Sequence, residues 1–260
     1  MQEMLYGRNP VYECLRAGRR RVLKLILQEG VRKSGVLAEA ETLARKHGVP
    51  VQTVDKRQLD RLGKDVRHQG IVAEVDGYPY ASMQDVLALA AERDEAPWLL
   101  VLDCLQDPQN LGTLLRTAEV VGVHGLVLPE RRSVSVTPAV VSASSGASEH
   151  AQIVQVTNLV RTMKELQERG IWIAGLEAVP GATQVWEADL KGPLALVVGS
   201  EGQGMRRLVR ETCDYVVELP MRGQINSLNA AVAGSVVLYE AARQRWTWIE
   251  SEISEQKPTL

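Results

Sequence analysis

From Trp98 onward, short unbroken apolar runs alternate regularly with helix-period segments, and this alternation limits the possible folds more than any other feature. Runs such as WLLVL, GLVL and LALVV show no polar alternation, so both faces of each strand must be covered. Fully buried strands, each followed by an amphipathic segment, imply an α/β fold: a mostly parallel sheet with helices on both faces. The spacing predicts strands at 98–103, 125–128, 152–156, 171–175, 194–198 and 215–218. It predicts helices at 110–121, 138–144, 158–169, 205–211 and 227–245. The polar, acidic stretch 246–260 reads as a frayed tail.

Residues 1–75 read as a separate, smaller α/β domain. Asn9-Pro10 is a helix-start signal and Gly18 a stop. A strand follows at 22–27, then a helix at 34–46 with Val36, Leu37, Ala40, Leu43 and Ala44 on one face. A strand at 49–54, a helix at 56–62 and a strand at 70–75 complete it. The turn-rich DGYPY stretch and a short helix opened by Ser82 and Asp85 mark a linker at 76–97, and the second domain spans 98–245.

Composition excludes several classes. The 260 residues are 45% hydrophobic and 24% charged, enough for a real core and too apolar for a disordered chain. No apolar run approaches the ~18 residues of a membrane span, and no leader pattern opens the chain, so a cytoplasmic protein is expected. Cys14, Cys104 and Cys213 are scattered, and His47, His68, His124 and His150 lack ligand spacing, which argues against disulfides and against any metal site.

The net charge of −2 conceals an asymmetry. Residues 1–75 carry 15 Lys and Arg against 9 Asp and Glu; the rest carry 15 against 23. A basic first domain suits a nucleic acid, and Arg8, Arg16, Arg19, Arg20, Arg21 and Lys24 are its candidate phosphate contacts.

Three loops follow strand ends in the second domain, where open α/β sheets place their ligands. They are DPQNLG, leading to Arg116; GSEGQG from Gly199; and PMRGQINSLN from Pro220. The second loop runs G-x-x-G-x-G, so it is neither a dinucleotide fingerprint nor a P-loop, and the serines at 142–145 lack a nucleophile elbow. Alone, that loop is no more than a tight turn.

Together the segments DPQNLGTLLRTAEVVGV, LALVVGSEGQGM and ELPMRGQINSLNAAVAGSVVLYE closely resemble the three signature motifs of the SpoU (TrmH-like) ribose methyltransferases of the SPOUT class. The segment YGRNPVYECLRAGRRRVLKLIL resembles the substrate-binding module preceding them in members that act on rRNA. Within the family, the chain looks most like the bacterial enzymes that methylate a guanosine ribose of 23S rRNA. The resemblance implies a deep trefoil knot, S-adenosylmethionine as cofactor, a homodimer, and large-subunit rRNA as partner. By position it implies Gly199, Leu219, Met221, Ser227 and Leu228 at the cofactor. It also implies Arg116 at the 2′-hydroxyl, supported by Asn110, Glu201, Ser227 and Asn229, with Ser227 capping the last helix. tRNA or another rRNA ribose is the alternative substrate, and a non-catalytic RNA-binding protein the alternative class.

Overall fold

The computed structural model describes residues 2–32, 34–63, 66–225 and 227–255, with side chains described through Trp246. Two compact units form, one from residues 1–80 and 135–151, the other from 81–134 and 152–260.

In the first unit, β1 (Gln2–Tyr6), α1 (Arg8–Ala17), β2 (Val22–Gln28), α2 (Val36–Lys46), β3 (Val51–Val54), α3 (Lys56–Leu62) and β4 (Ile71–Asp76) follow one another. The sheet order is β1-β4-β2-β3, with β4 antiparallel to both its neighbours and β3 parallel to β2. Strand β1 is absent from the sequence prediction because QEMLY buries only Leu5 fully and carries no apolar run. Asn9 is not the cap of α1; Gly7, at φ 94, holds that position, and Pro10 lies in the first turn, where its missing N–H costs nothing. Gly18 ends the helix in the left-handed conformation, as expected.

The second unit opens with α4 (Met83–Glu92), whose Ser82–Asp85 capping box is complete. Of the stretch 76–97 read as a linker, residues 76–80 thus close the first unit and 81–97 belong to this one. A Cβ on Gly125 would sit 2.5 Å from Val86, so glycine lets α4 lie close against the sheet. The chain continues through β5 (Trp98–Leu102), α5 (Pro108–Val121) and β6 (Gly125–Pro129). It then leaves for the first unit, where α6 (Pro138–Ala143) packs on β1 and α1. Residues 135–151, expected within the second domain, belong to this excursion.

On its return the chain forms β7 (Ile153–Val156), α7 (Leu159–Gln167), β8 (Trp172–Leu176), β9 (Thr183–Gln184), β10 (Leu194–Val198), α8 (Arg207–Thr212), β11 (Tyr215–Glu218) and α9 (Ala230–Glu255). The sheet order is β7-β6-β5-β10-β8-β11-β9, and every pair is parallel. Leu99, Val101, Val127, Ile173, Ala195 and Val197 pack against Met163 and Leu166 of α7 and Val209 of α8. On the other face α5 and α9 pack together, with Gly234 of α9 close to Leu114 and Val198. Helix α9 starts three residues later than predicted and runs on through Glu255, so the expected tail is helical that far; residues 256–260 lie outside the described residues. No helix among the described residues is long and apolar enough to cross a membrane.

Candidate functional site

A parallel sheet aligns the carboxyl ends of its strands, and β5, β10, β8 and β11 open at one edge onto Asp103, Gly199, Glu177 and Leu219. The loop after β10 doubles back: Ser200 and Gly204 exchange backbone hydrogen bonds at 3.0 Å. Two of its glycines are obligatory. A Cβ on Gly199 would land on the backbone of Gly204 and Met205, and one on Gly204 on the Glu177 carboxylate. Gly204 also sits at φ 65, where a side chain would be strained.

This loop walls a cavity of about 630 Å³. All five residues expected at a cofactor line it: Gly199, Leu219, Met221, Ser227 and Leu228. Met221 and Leu228 are 37% and 46% exposed, so apolar surface faces an open cavity of a size suited to a small organic ligand. The lining combines the backbone of Gly199, Gly202 and Gly204 with the apolar side chains of Leu219, Met221 and Leu228, which suits an aromatic base held by backbone groups and apolar contact.

Beside it lies a polar cleft of about 530 Å³. The two share Ser200, Glu201, Gln203 and Gly204. At this junction the structure brings three signature residues together. The Asn229 amide nitrogen donates to Asn110 Oδ1 at 2.9 Å and to Glu201 Oε1. Its Oδ1 accepts from the backbone N–H of Ala231 and Val232 at 2.9 and 3.1 Å. Asn229 therefore caps α9, the role expected of Ser227, and one side chain fixes both the helix start and the Asn110–Glu201 pair.

Arg116 is exposed on α5 and is outside the lining of both cavities. Six residues at about 100° each turn it roughly 120° around the helix from Asn110.

Sequence reasoning missed Asp103 and Glu177. Asp103 is fully buried and accepts from the Arg206 backbone N–H at 2.8 Å and from its guanidinium at 2.7 Å. Glu177 accepts from Met205 N and Arg210 Nη1, both at 3.3 Å. The available signal was a carboxylate one residue beyond an apolar strand.

The basic residues of the first unit divide. Arg20, with a side chain 1% exposed, forms a bidentate pair with Glu149 at 2.6 and 2.9 Å and reaches Glu3 at 2.9 Å. Arg19 donates to the carbonyls of Pro79 and Ala151. Both are structural clamps, which removes Arg20 from the phosphate contacts and occupies Arg19. Arg16 and Arg21 are exposed, and Arg8 and Lys24 half-buried.

Burial pushes the Cys14 and Cys213 thiols up to about 12, so neither is a thiolate at neutral pH. No group of three or more metal-ligating side chains occurs among the described residues.

Residues 97–239 match the SpoU rRNA Methylase family, and residues 4–81 match the RNA 2′-O ribose methyltransferase substrate-binding family. The TrmH family protein YacO of Bacillus subtilis is 44% identical over 243 residues, covering 94% of this chain and 96% of its own. The chain belongs to the SpoU/TrmH family of RNA methyltransferases. Among solved structures of that family, AviRb from Streptomyces viridochromogenes, in complex with AdoMet, aligns with a TM-score of 0.78 at 25% identity, covering 95% of this chain and 91% of that one. An AdoMet-bound rRNA methyltransferase from Sinorhizobium meliloti shares the fold, with a TM-score of 0.74 at 21% identity, covering 93% and 87%. The SpoU/TrmH match meets the seven-stranded unit, and the substrate-binding match meets the small β1–β4 unit.

Proposed function

We propose that this chain transfers a methyl group to a ribose 2′-hydroxyl of RNA, and that the acceptor is a guanosine of 23S rRNA, the reaction of the RlmB type. The observation that carries the proposal is the Asn110–Asn229–Glu201 junction, because it stands where the apolar cavity and the polar cleft meet. Two reactants bound on either side would face each other there, and their alignment supplies much of what such a transfer needs.

S-Adenosylmethionine supplies a methyl on a positively charged sulfonium, which is electrophilic without further activation. Gly199, Leu219, Met221, Ser227 and Leu228 would hold it, largely through backbone groups and apolar contact. Glu201 and Asn110, fixed by Asn229, would orient the acceptor side, and Ser227 would hydrogen-bond the ribose. Arg116 has the role implied by the family resemblance. A guanidinium has only donors and stays protonated, so it grips the adjacent phosphate and stabilises the developing alkoxide by its charge, while the 2′-hydroxyl proton passes to solvent water as the methyl is transferred.

The same reading gives the molecule a trefoil knot, supported by the way Leu219, Met221, Ser227, Leu228 and Asn229 share one cavity with the 199–204 loop. It also gives a homodimer, supported by the exposed apolar face of α9. The first unit would hold rRNA through Arg8, Arg16, Arg21 and Lys24, and the enzyme would work in the cytoplasm.

The test is transfer of labelled methyl from S-adenosylmethionine to unmodified large-subunit rRNA and, in parallel, to unmodified tRNA. Label in rRNA as 2′-O-methylguanosine, reduced about 10²–10³-fold in Arg116→Ala, is the expected result. Label only in tRNA would overturn the substrate, and no label in either, with ribosomal precursor particles also inert, would overturn the activity.

A further inference from the structure

The polar cleft does not end at the catalytic junction. Through Arg132 and Arg206 it continues into a groove of about 1050 Å³ along the ends of β6 and β7 and across α7 and α8. There Arg131, Arg161, Lys164 and Arg207 join the same two arginines. Six cations thus gather in one groove of a region, residues 76–260, that carries 15 basic against 23 acidic residues. Only Glu165 and Glu168 oppose them in its lining.

The cations are presented in a consistent way. Arg132, at φ 63, sits in a turn tied down by Ser133 Oγ and Val134 N, which donate to the Leu105 carbonyl at 3.0 and 2.9 Å. Arg206 is aimed by the buried Asp103 and remains 44% exposed. Arg161 and Arg207 make exposed i,i+4 pairs with Glu165 and Glu211, contacts weak enough to yield to a phosphate. No ion pair within the described residues engages Arg131, Arg132 or Lys164. Like charges held together at some electrostatic cost, opening directly into the cleft beside the cofactor cavity, are suited to a polyanion.

We propose that this groove is a phosphodiester track. The RNA strand flanking the target ribose leaves the cleft between Arg132 and Arg206 and runs over Arg131, Arg161, Lys164 and Arg207. RNA affinity then resides in the methyltransferase unit as well as in the basic first unit. The proposal rests on the RNA-methyltransferase reading, and cofactor binding keeps the two separable.

The test uses the full-length protein with a fluorescein-labelled 30-nucleotide uridine homopolymer and with transcribed large-subunit rRNA, over a range of salt. The Arg131→Ala/Lys164→Ala variant should bind both at least tenfold more weakly at 100 mM salt. Its log–log salt slope should fall in magnitude by about 1.4, the loss of two single-strand phosphate contacts. Arg131→Lys/Lys164→Arg should restore binding. S-Adenosylhomocysteine affinity and Tm should match wild type, which separates a lost track from a misfolded site. Unchanged RNA affinity and slope would overturn the track. So would an equal loss in Arg169→Ala/Lys191→Ala, two exposed cations outside the groove. Wild-type protein that binds S-adenosylhomocysteine but no RNA would overturn the RNA reading beneath it.

Discussion

Asn229 does two jobs with one amide, and the two halves are separable by substitution. Serine caps a helix about as well as asparagine but is too short to reach Asn110 and Glu201. Asn229→Ser should therefore keep Tm near wild type and lose methyl transfer by at least tenfold. Asn229→Ala should lose both, with about 1 kcal/mol of stability. Equal Tm in the two variants, measured by calorimetry, would contradict the capping role. The identities of the polar signature residues were legible in the sequence, since Asn110, Glu201 and Asn229 fall in three separate segments following strands, which a parallel sheet brings to one edge. Their bonding was not, because it depends on the doubled-back path of residues 199–204. Arg20 shows the opposite failure: a basic cluster at 16–24 looks uniform in sequence, yet a partner 129 residues away buries one member.

His124 gives a second residue-scale expectation. Trp98 N donates to its Nδ1 at 3.0 Å, so the ring carries its proton on Nε2, facing Glu95 at 2.9 Å. Burial holds its pKa below the ordinary 6.5; Arg93 and Arg245 add to this and Glu95 opposes it. The unfolded chain takes up the proton first, so stability present above pH 6.5 is lost as pH falls toward the lowered folded value. Wild-type Tm should drop more between pH 7.5 and 5.5 than that of His124→Gln; equal drops would contradict this.

At the scale of elements, the pairing of α5 with α9 sets how the site is built, since Asn110 lies at the start of one and Asn229 caps the other. Gly234 makes the approach possible: a Cβ would sit 2.7 Å from Leu114 and 3.2 Å from Val198. Gly234→Val adds a branched side chain at this contact without a gain in helix propensity large enough to offset it. Destabilisation of about 1–3 kcal/mol by denaturant titration is expected, and an unchanged midpoint would show that the helices are looser than described. Six of the second unit's seven strands were legible, the central ones because full burial writes unbroken apolar runs such as LALVV; the two-residue β9, with neither residue buried, was not. Strand β1 was not, because an edge strand with one buried residue writes almost nothing. The excursion 135–151 was hidden for another reason: α6 has an ordinary helix pattern, and which sheet it covers is a tertiary choice.

At the scale of the whole molecule, net charge points to nucleic acid only at the first unit, yet the basic groove of the second shows that net charge averages away a local field. The exposed Val232, Val236, Tyr239 and Trp246 lie along one face of α9, 38–51% exposed. Such a stripe is expected to meet a second copy across a two-fold axis. Sedimentation should find a dimer for wild type and a monomer for Val236→Glu/Tyr239→Glu; a monomeric wild type would contradict the dimer. The family was legible in three motifs, whereas the junction that joins its two cavities required the fold. The most direct test of the account is mass-spectrometric nucleoside analysis of RNA incubated with the protein and S-adenosylmethionine. The account predicts a 2′-O-methylated ribose that disappears in Asn229→Ser while S-adenosylhomocysteine still binds. A methyl on a base, or an undiminished ribose product in that variant, would contradict it.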